Sequence, residues 1–190
     1  MRIYLASKSP RRNQLLKQTG LPFETLDIEV DETWDGLENA NRYVSRLALE
    51  KAKTGISSLE VKHDAIVIGA DTAVVLDHII LGKANNTHEA ASILKTLSGR
   101  THHVYTAIAV VTENKTETVV NISHVSFKPL TETEIKKYSE SEEPLGKAGG
   151  YAIQGKAAEF ISRLDGSYSG VMGLPLFELS ELLQVFRQNP

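Results

Sequence analysis

The chain has no cysteine, so disulfide staples, zinc-finger spacings and thiol nucleophiles are excluded together. It has no stretch near the roughly 18 uninterrupted apolar residues of a spanning helix, and the apolar run at its start is too short for a signal-peptide core. A basic excess is also missing. The 21 Lys and Arg stand against 24 Asp and Glu, for a net charge of −3, whereas proteins that live on nucleic acid carry a surplus of cations. Any anionic ligand must be held by a local cluster. No Pro/Gly/Ser-rich linker, low-complexity tract or long repeat interrupts the 190 residues, which predicts one domain over 1–190 with no internal boundary. These absences predict a soluble cytoplasmic enzyme or small-molecule-binding protein, with neither nucleic acid nor membrane as a partner.

Some motifs are missing as well. There is no G-x-x-x-x-G-K-[ST] phosphate loop, no G-x-G-x-x-G fingerprint, no G-x-S-x-G elbow and no H-E-x-x-H. Kinase, dinucleotide dehydrogenase, serine hydrolase and zinc hydrolase readings lose weight accordingly. His102-His103 reads as a pair of strand residues rather than a metal site.

What is present is ordinary globular composition, 41% hydrophobic and 24% charged, arranged as alternating strand-like and helix-like segments. Ile3 to Ala6 reads as a strand, followed by a helix with Ser9 as N-cap, Pro10 at its first position, Leu15 and Leu16 facing a core and Gly20 as its stop. Phe23 to Val30 reads as a second strand, and a helix is expected from about Asn39 to Thr54, ended by Gly55, with Lys51 and Lys53 on its last turn. Ala65 to Ile68 is a continuous apolar run that suits a strand covered on both faces and leads into Gly69-Ala70-Asp71-Thr72. Val74 to Leu76 and Ile79 to Leu81 read as a hairpin turning at Asp77-His78. A helix follows from Thr87 to Leu97, then two long β runs, His103 to Thr112 and Thr116 to Phe127. Thr131-x-x-Glu134 is a capping box, 146–155 a glycine-rich irregular loop, Glu159 to Arg163 a last strand and Leu174 to Phe186 a closing helix. The pattern predicts an α/β fold, a mixed sheet flanked by helices.

Open α/β sheets place ligands at strand ends, so polar loops after apolar strands are the first places to look for chemistry. Ser7 to Arg12 combines hydroxyls, a helix start and two adjacent guanidinium groups, which suits a phosphate chain; the alternative is a capped helix with a solvated basic face. Asp71 reads as the end of the most buried strand, preceded by two small residues that would let a ligand or metal approach, with an N-cap or turn role as the alternative. Glu32 could be a second oxygen ligand for a hard cation. Lys51 and Lys83 are point charges that suit phosphate or solvent equally well, and Gln154 lies in a loop suited to a base or sugar, or to a tight structural turn.

Read together and in order, these segments resemble the Maf family of nucleoside triphosphate pyrophosphatases. The resemblance covers nearly the whole chain: Leu5 to Arg12, Asp31-Glu32, Leu49 to Ala52, Gly69 to Thr72, Leu81 to Lys83, Leu97 to Gly99, Lys147 to Gly155, Gly166 to Tyr168 and Gly173 to Pro175. It implies an elongated fold of two lobes around a cleft, shared with the inosine-triphosphate pyrophosphatase type, and usually a homodimer. It implies hydrolysis of a nucleoside triphosphate to the monophosphate and pyrophosphate with a divalent cation, Mg²⁺ or Mn²⁺. Asp71 matches the family's proton acceptor, and Ser7, Arg12, Glu32, Lys51 and Lys83 match its phosphate- and metal-handling positions, with Asp71 and Glu32 as the expected metal ligands and Asp71, Glu32 and Lys83 as the catalytic set. The closer branch is the one acting on dTTP and UTP rather than 7-methyl-GTP, a choice associated with Arg11, Thr72 and Gln154. One position departs: Gly146 stands where the family usually has Asp, and the pair Gly149-Gly150 is often Gly-Ala. The competing expectations are a nucleotide-binding regulator of cell division and septum formation with little catalysis, and a pyrophosphatase that prefers a purine or modified base.

Overall fold

The near-continuous apolar runs at the start of the chain and at 65–68 become neighbouring strands. In the computed structural model, which describes residues 1–34 and 36–188, β1 (Arg2–Ala6) pairs in parallel with both β2 (Glu24–Leu26) and β3 (Ala65–Leu76). Strands buried on both faces are apolar at every position rather than at alternate ones, which is why Ile3 to Ala6 and Ala65 to Ile68 carry no polar residue. The sheet has seven strands in the order β2-β1-β3-β5-β6-β7, with β4 (Ile79–Leu81) antiparallel to β3; the others are β5 (Thr101–Val111), β6 (Thr116–Phe127) and β7 (Ile161–Asp165). The helices are α1 (Pro10–Gln18), α2 (Ala40–Ser58), α3 (Thr87–Leu97), α4 (Glu132–Ser139), α5 (Tyr168–Met172) and α6 (Leu176–Gln188). This is the mixed α/β sheet with helices that the pattern predicts. Among the described residues no helix is long and apolar enough to cross a membrane.

The last strand runs Ile161–Asp165 rather than Glu159 to Arg163, because Lys156–Phe160 closes into a 3-10 helix, and α5 has no counterpart in the expected pattern. Three further elements differ because tertiary packing overrides a local signal. The second strand shrinks from Phe23–Val30 to Glu24–Leu26, since only those residues pair with β1. The helix expected to stop at Gly55 runs on to Ser58, and Gly55 lies within it. A β-carbon there would lie 2.8 Å from Val67 Cγ1 and 3.2 Å from Ala6 Cβ, so this glycine seats α2 on the sheet rather than ending it. Lys51 is accordingly two turns inside α2, not on its last turn. Finally, β3 does not stop before Asp71 but continues to Leu76. The hairpin turn at Asp77-His78 is as expected, with φ of 50° and 69° at its two residues, the positive pair that matches the twist of flanking strands.

The chain forms two compact units, residues 1–71, 106–121 and 173–190, and residues 72–105 and 122–172. The first has a core of Leu5, Leu15, Leu16, Leu47, Ile66, Ile68, Ile108 and Leu179. The second is centred on aromatic rings: Phe127 meets His102, Tyr151 and Phe160 edge-on at centroid distances of 5.1, 5.0 and 6.2 Å. His102 and His103 are strand residues of β5, and His102 is fully buried with Nε2 2.8 Å from the Tyr151 hydroxyl.

Burial, and secondarily the neighbouring His103, lowers the His102 pKa from 6.5 to about 4. Between those values the unfolded chain binds this proton and the folded chain does not, so stability falls as pH drops from 6.5 and the loss is complete below about 4. A shift of that size corresponds to about 3 kcal/mol. Denaturant unfolding at pH 7 and pH 4.5 should therefore show a smaller acid loss in His102→Gln than in the natural chain. Equal losses in the two proteins would remove His102 as the cause.

Candidate functional site

Within the first unit, Asp71 and Lys51 face each other because β3 and α2 are pressed together at glycine. On β3 the residues alternate, so Val67, Gly69 and Asp71 share the face covered by α2. A β-carbon at Gly69 would lie 2.2 Å from the Ala48 carbonyl oxygen and 2.7 Å from the Ala52 backbone nitrogen. Only hydrogen fits there. Of the two small residues before Asp71, Gly69 therefore admits a helix backbone rather than a ligand, a correction to the expectation from spacing. With α2 seated this closely, Lys51 Nζ reaches Asp71 Oδ1 at 2.7 Å and Glu32 Oε1 at 2.6 Å.

Both Asp71 and Lys51 are buried, with side chains 10% exposed, and Glu32 is more open at 37%. A buried carboxylate is tolerated when paired. The ammonium engages one oxygen of each acid, Asp71 Oδ1 and Glu32 Oε1. Among the described residues no group of three or more His, Asp or Glu side chains is arranged to enclose a metal. The pair fits a hard cation of the magnesium type, which is commonly held by one or two carboxylates with the remaining positions filled by phosphate oxygens and water.

Two loops complete this cluster. Ser9 takes the N-cap position of α1 with Pro10 behind it, but its side chain makes no capping bond; its N–H instead donates to Ser7 Oγ at 3.2 Å. Arg12 Nη1 donates to the same hydroxyl at 3.4 Å while its Nε donates to the Gly173 carbonyl at 2.8 Å. Burial lowers the Arg12 pKa, and the charges of Asp71 and Glu32 act in the opposite direction, which shows that the guanidinium lies within the field of both acids. Arg11, the preceding residue in the first turn of α1, is half-buried. Lys8 leaves the group, binding Asp27 at 2.8 Å and Glu29 at 2.6 Å.

The second loop, after β2, carries Glu32 and is tied to α2 by side chains that sequence reading did not single out. Tyr43 donates its hydroxyl proton to the Glu32 carbonyl at 2.9 Å. Arg46 grips Glu38 with two bonds of 2.7 and 2.8 Å and the Thr33 carbonyl with a third of 3.2 Å. Burial, then the charges of Asp71 and Glu32, push the Tyr43 pKa up to about 12, so it remains a donor at neutral pH. The available signal was the spacing of Tyr43, Arg46 and Glu50, which repeats along one helix face.

Thr72, Lys83 and Gln154 belong to the second unit. Thr72 is half-buried on β3, directly after Asp71. Lys83 pairs with Ala148 in a single antiparallel bridge, and the adjoining glycine loop is laced to the same segment by Gly149 N–H to the Gly82 carbonyl, 3.1 Å, and Gly146 N–H to the Ala84 carbonyl, 2.9 Å. Gln154 is exposed on a turn closed by Gly155 N–H to the Ala152 carbonyl, 3.0 Å. Gly146 has φ +67°, and a β-carbon there would meet no atom within 4 Å among the described residues. Asp is among the residues that tolerate this conformation. Lys147 is oriented by the Glu143 carbonyl, to which its ammonium donates.

The chain is similar to known proteins over nearly its whole length. A protein of Aromatoleum aromaticum named dTTP/UTP pyrophosphatase is 49% identical over an alignment of 197 residues that covers 97% of this chain and 95% of that one. Proteins of the same name from Alkalilimnicola ehrlichii and Aliivibrio fischeri are 48% and 45% identical, each alignment covering 97% of this chain and, respectively, 92% and 97% of theirs. A solved structure titled "The structure of the Staphylococcus aureus Ham1 protein" is similar with a TM-score of 0.48 and 14% identity, covering 67% of this chain and 72% of that one. A family model described as Maf-like protein matches residues 2–186, and the chain belongs to that family.

Proposed function

We propose that this protein is a nucleoside triphosphate pyrophosphatase that hydrolyses dTTP and UTP, and modified pyrimidine triphosphates, to the monophosphate and pyrophosphate. The observation that carries the reading is the buried Lys51 bridge between Asp71 and Glu32, with Arg12 in the field of both acids. Two carboxylates and two cations nearly cancel, so the cluster alone is a poor trap for a polyanion. Asp71 and Glu32 would hold a Mg²⁺ or Mn²⁺ ion, which would supply the missing positive charge and Lewis acidity toward the phosphate oxygens.

The chain's own groups supply the rest. Asp71 takes the proton of the water that attacks the α-phosphorus, the role of a carboxylate held in fixed position within hydrogen-bond reach of that water. Arg12 and Lys51 stabilise charge developing on the phosphate oxygens, and Ser7 fixes the Arg12 guanidinium. The family resemblance supports Lys83 as a phosphate-handling residue and Arg11, Thr72 and Gln154 as residues of base choice; the Gln154 amide has a donor and an acceptor to offer a uracil or thymine edge. The names of the relatives support this substrate class. The family resemblance also supports a homodimer and a cytoplasmic location.

A panel of UTP, dTTP, CTP, ATP and GTP, scored by kcat/KM for pyrophosphate release with Mg²⁺, Mn²⁺ or EDTA, tests the reading. The expected result is a preference of about tenfold or more for UTP and dTTP, abolished by EDTA. Tight metal-dependent binding of nucleotide with no pyrophosphate released over hours would instead establish a regulator.

A further inference from the structure

A Gln amide cannot by itself tell uracil from cytosine. Uracil presents an acceptor at O4 beside a donor at N3, cytosine presents the reverse, and a freely turning amide satisfies either by flipping. Selection by such an amide first requires that it reach the base at all, and that reach is set by the segment that carries it. In the second unit, the turn that displays Gln154 is held from both ends by one pair of side chains. Glu143, half-buried in the loop after α4, accepts from Lys156 N–H on Oε2 at 3.0 Å, and from Ala157 N–H on Oε1 at 3.4 Å. The Tyr138 hydroxyl donates to Glu143 Oε1 at 2.9 Å and accepts the Ala152 N–H at 3.2 Å.

Ala152 begins the Gln154 turn and Lys156 follows its end, so a single Glu143–Tyr138 unit clamps both sides of it. The fit is tight. A β-carbon at Gly155 would fall 2.4 to 2.5 Å from the Glu143 carboxylate, so glycine at 155 is what lets the acid reach the backbone nitrogens. These nitrogens open the 3-10 turn Lys156–Phe160, where a negative charge is favourable.

We propose that Glu143, acting with Tyr138, is a positioning residue for base selection, holding the Gln154 turn at the place from which its amide reaches a uracil or thymine edge. This rests on the reading of Gln154 as the residue that contacts the base. Glu143→Gln keeps the size of the side chain but turns one acceptor into an NH₂ group that faces a backbone N–H. Tyr138→Phe removes the bridging hydroxyl and leaves the ring in place.

The test compares kcat/KM for UTP and CTP in the natural chain, Glu143→Gln, Tyr138→Phe, Gln154→Ala and the double variant Glu143→Gln/Gln154→Ala. The UTP-to-CTP ratio should fall about tenfold in Glu143→Gln and Tyr138→Phe, through a raised KM for UTP with kcat largely kept. It should fall no further in the double variant than in Gln154→Ala, because the two residues act through one contact. If Glu143→Gln and Tyr138→Phe lower both substrates equally and keep the ratio while Gln154→Ala loses it, the role is structural and the positioning proposal fails. An unchanged ratio in Gln154→Ala overturns the base-contact reading itself, and the positioning proposal with it.

Discussion

Asp71→Asn should lower pyrophosphate release from UTP and dTTP by about 10²–10⁴-fold, the range for removing a positioned general base. The substitution is isosteric, and the amide oxygen can still accept from Lys51 Nζ, now 2.7 Å from Asp71 Oδ1. Glu32 also keeps its bond to the same ammonium at 2.6 Å. Folding should therefore survive at a cost of about 1–3 kcal/mol, that of a weakened buried hydrogen bond to a charged group. On the proposed mechanism, what is lost is the ability to take a proton and a formal charge at the cation. These two losses separate in a titration with Mg²⁺. Loss of the base lowers kcat at saturating metal with little change in KM, whereas loss of a ligand raises the half-saturating metal concentration. A rate near that of the natural chain at every metal concentration would remove Asp71 from both roles.

Local signals in the sequence were sufficient where local chemistry decides the structure. The Thr131 and Glu134 capping box forms as the spacing requires, α3 spans the expected residues, and Asp77-His78 turns the hairpin. Glycine was the weak point. Gly55 and Gly69 carry the same local signal as a helix stop or a ligand approach, but their role comes from a helix and a strand distant in sequence that meet at these positions. The same limit applies to the site. Ser7, Arg12, Glu32, Lys51 and Asp71 were legible because their motifs occur in a fixed order, and the structure brings these five into one neighbourhood in the first unit. Tyr43, Arg46 and Glu143 were not, because each acts on backbone groups or a loop, and such side chains look like any polar residue until the chain is folded.

Gly69→Ala should be among the most damaging substitutions in the first unit, although it adds one methyl group and touches no reacting atom. The added carbon would sit 2.2 Å from the Ala48 carbonyl oxygen, against the 3.3 Å or more that carbon and oxygen need, so α2 must retreat by about 1 Å. Overpacking usually costs 1–3 kcal/mol, and because the clash is with helix backbone rather than a flexible side chain, about 3 kcal/mol or more is expected here. In a chain of this size that corresponds to a fall in Tm of roughly 6–12 °C. Retreat of α2 also draws Lys51 from Asp71, and a displacement of that order can lower a rate about 10²-fold. Ala52→Gly in the same chain should not restore stability, since it removes a methyl group 3.0 Å from the new carbon but leaves the Ala48 oxygen and the Ala52 nitrogen where they are. Gly82→Ala is the control: a β-carbon there meets nothing within 4 Å among the described residues, and its Tm should stay close to that of the natural chain. If Gly69→Ala melts like Gly82→Ala and keeps its rate, the close seating of α2 on β3 is not what brings Lys51 to Asp71.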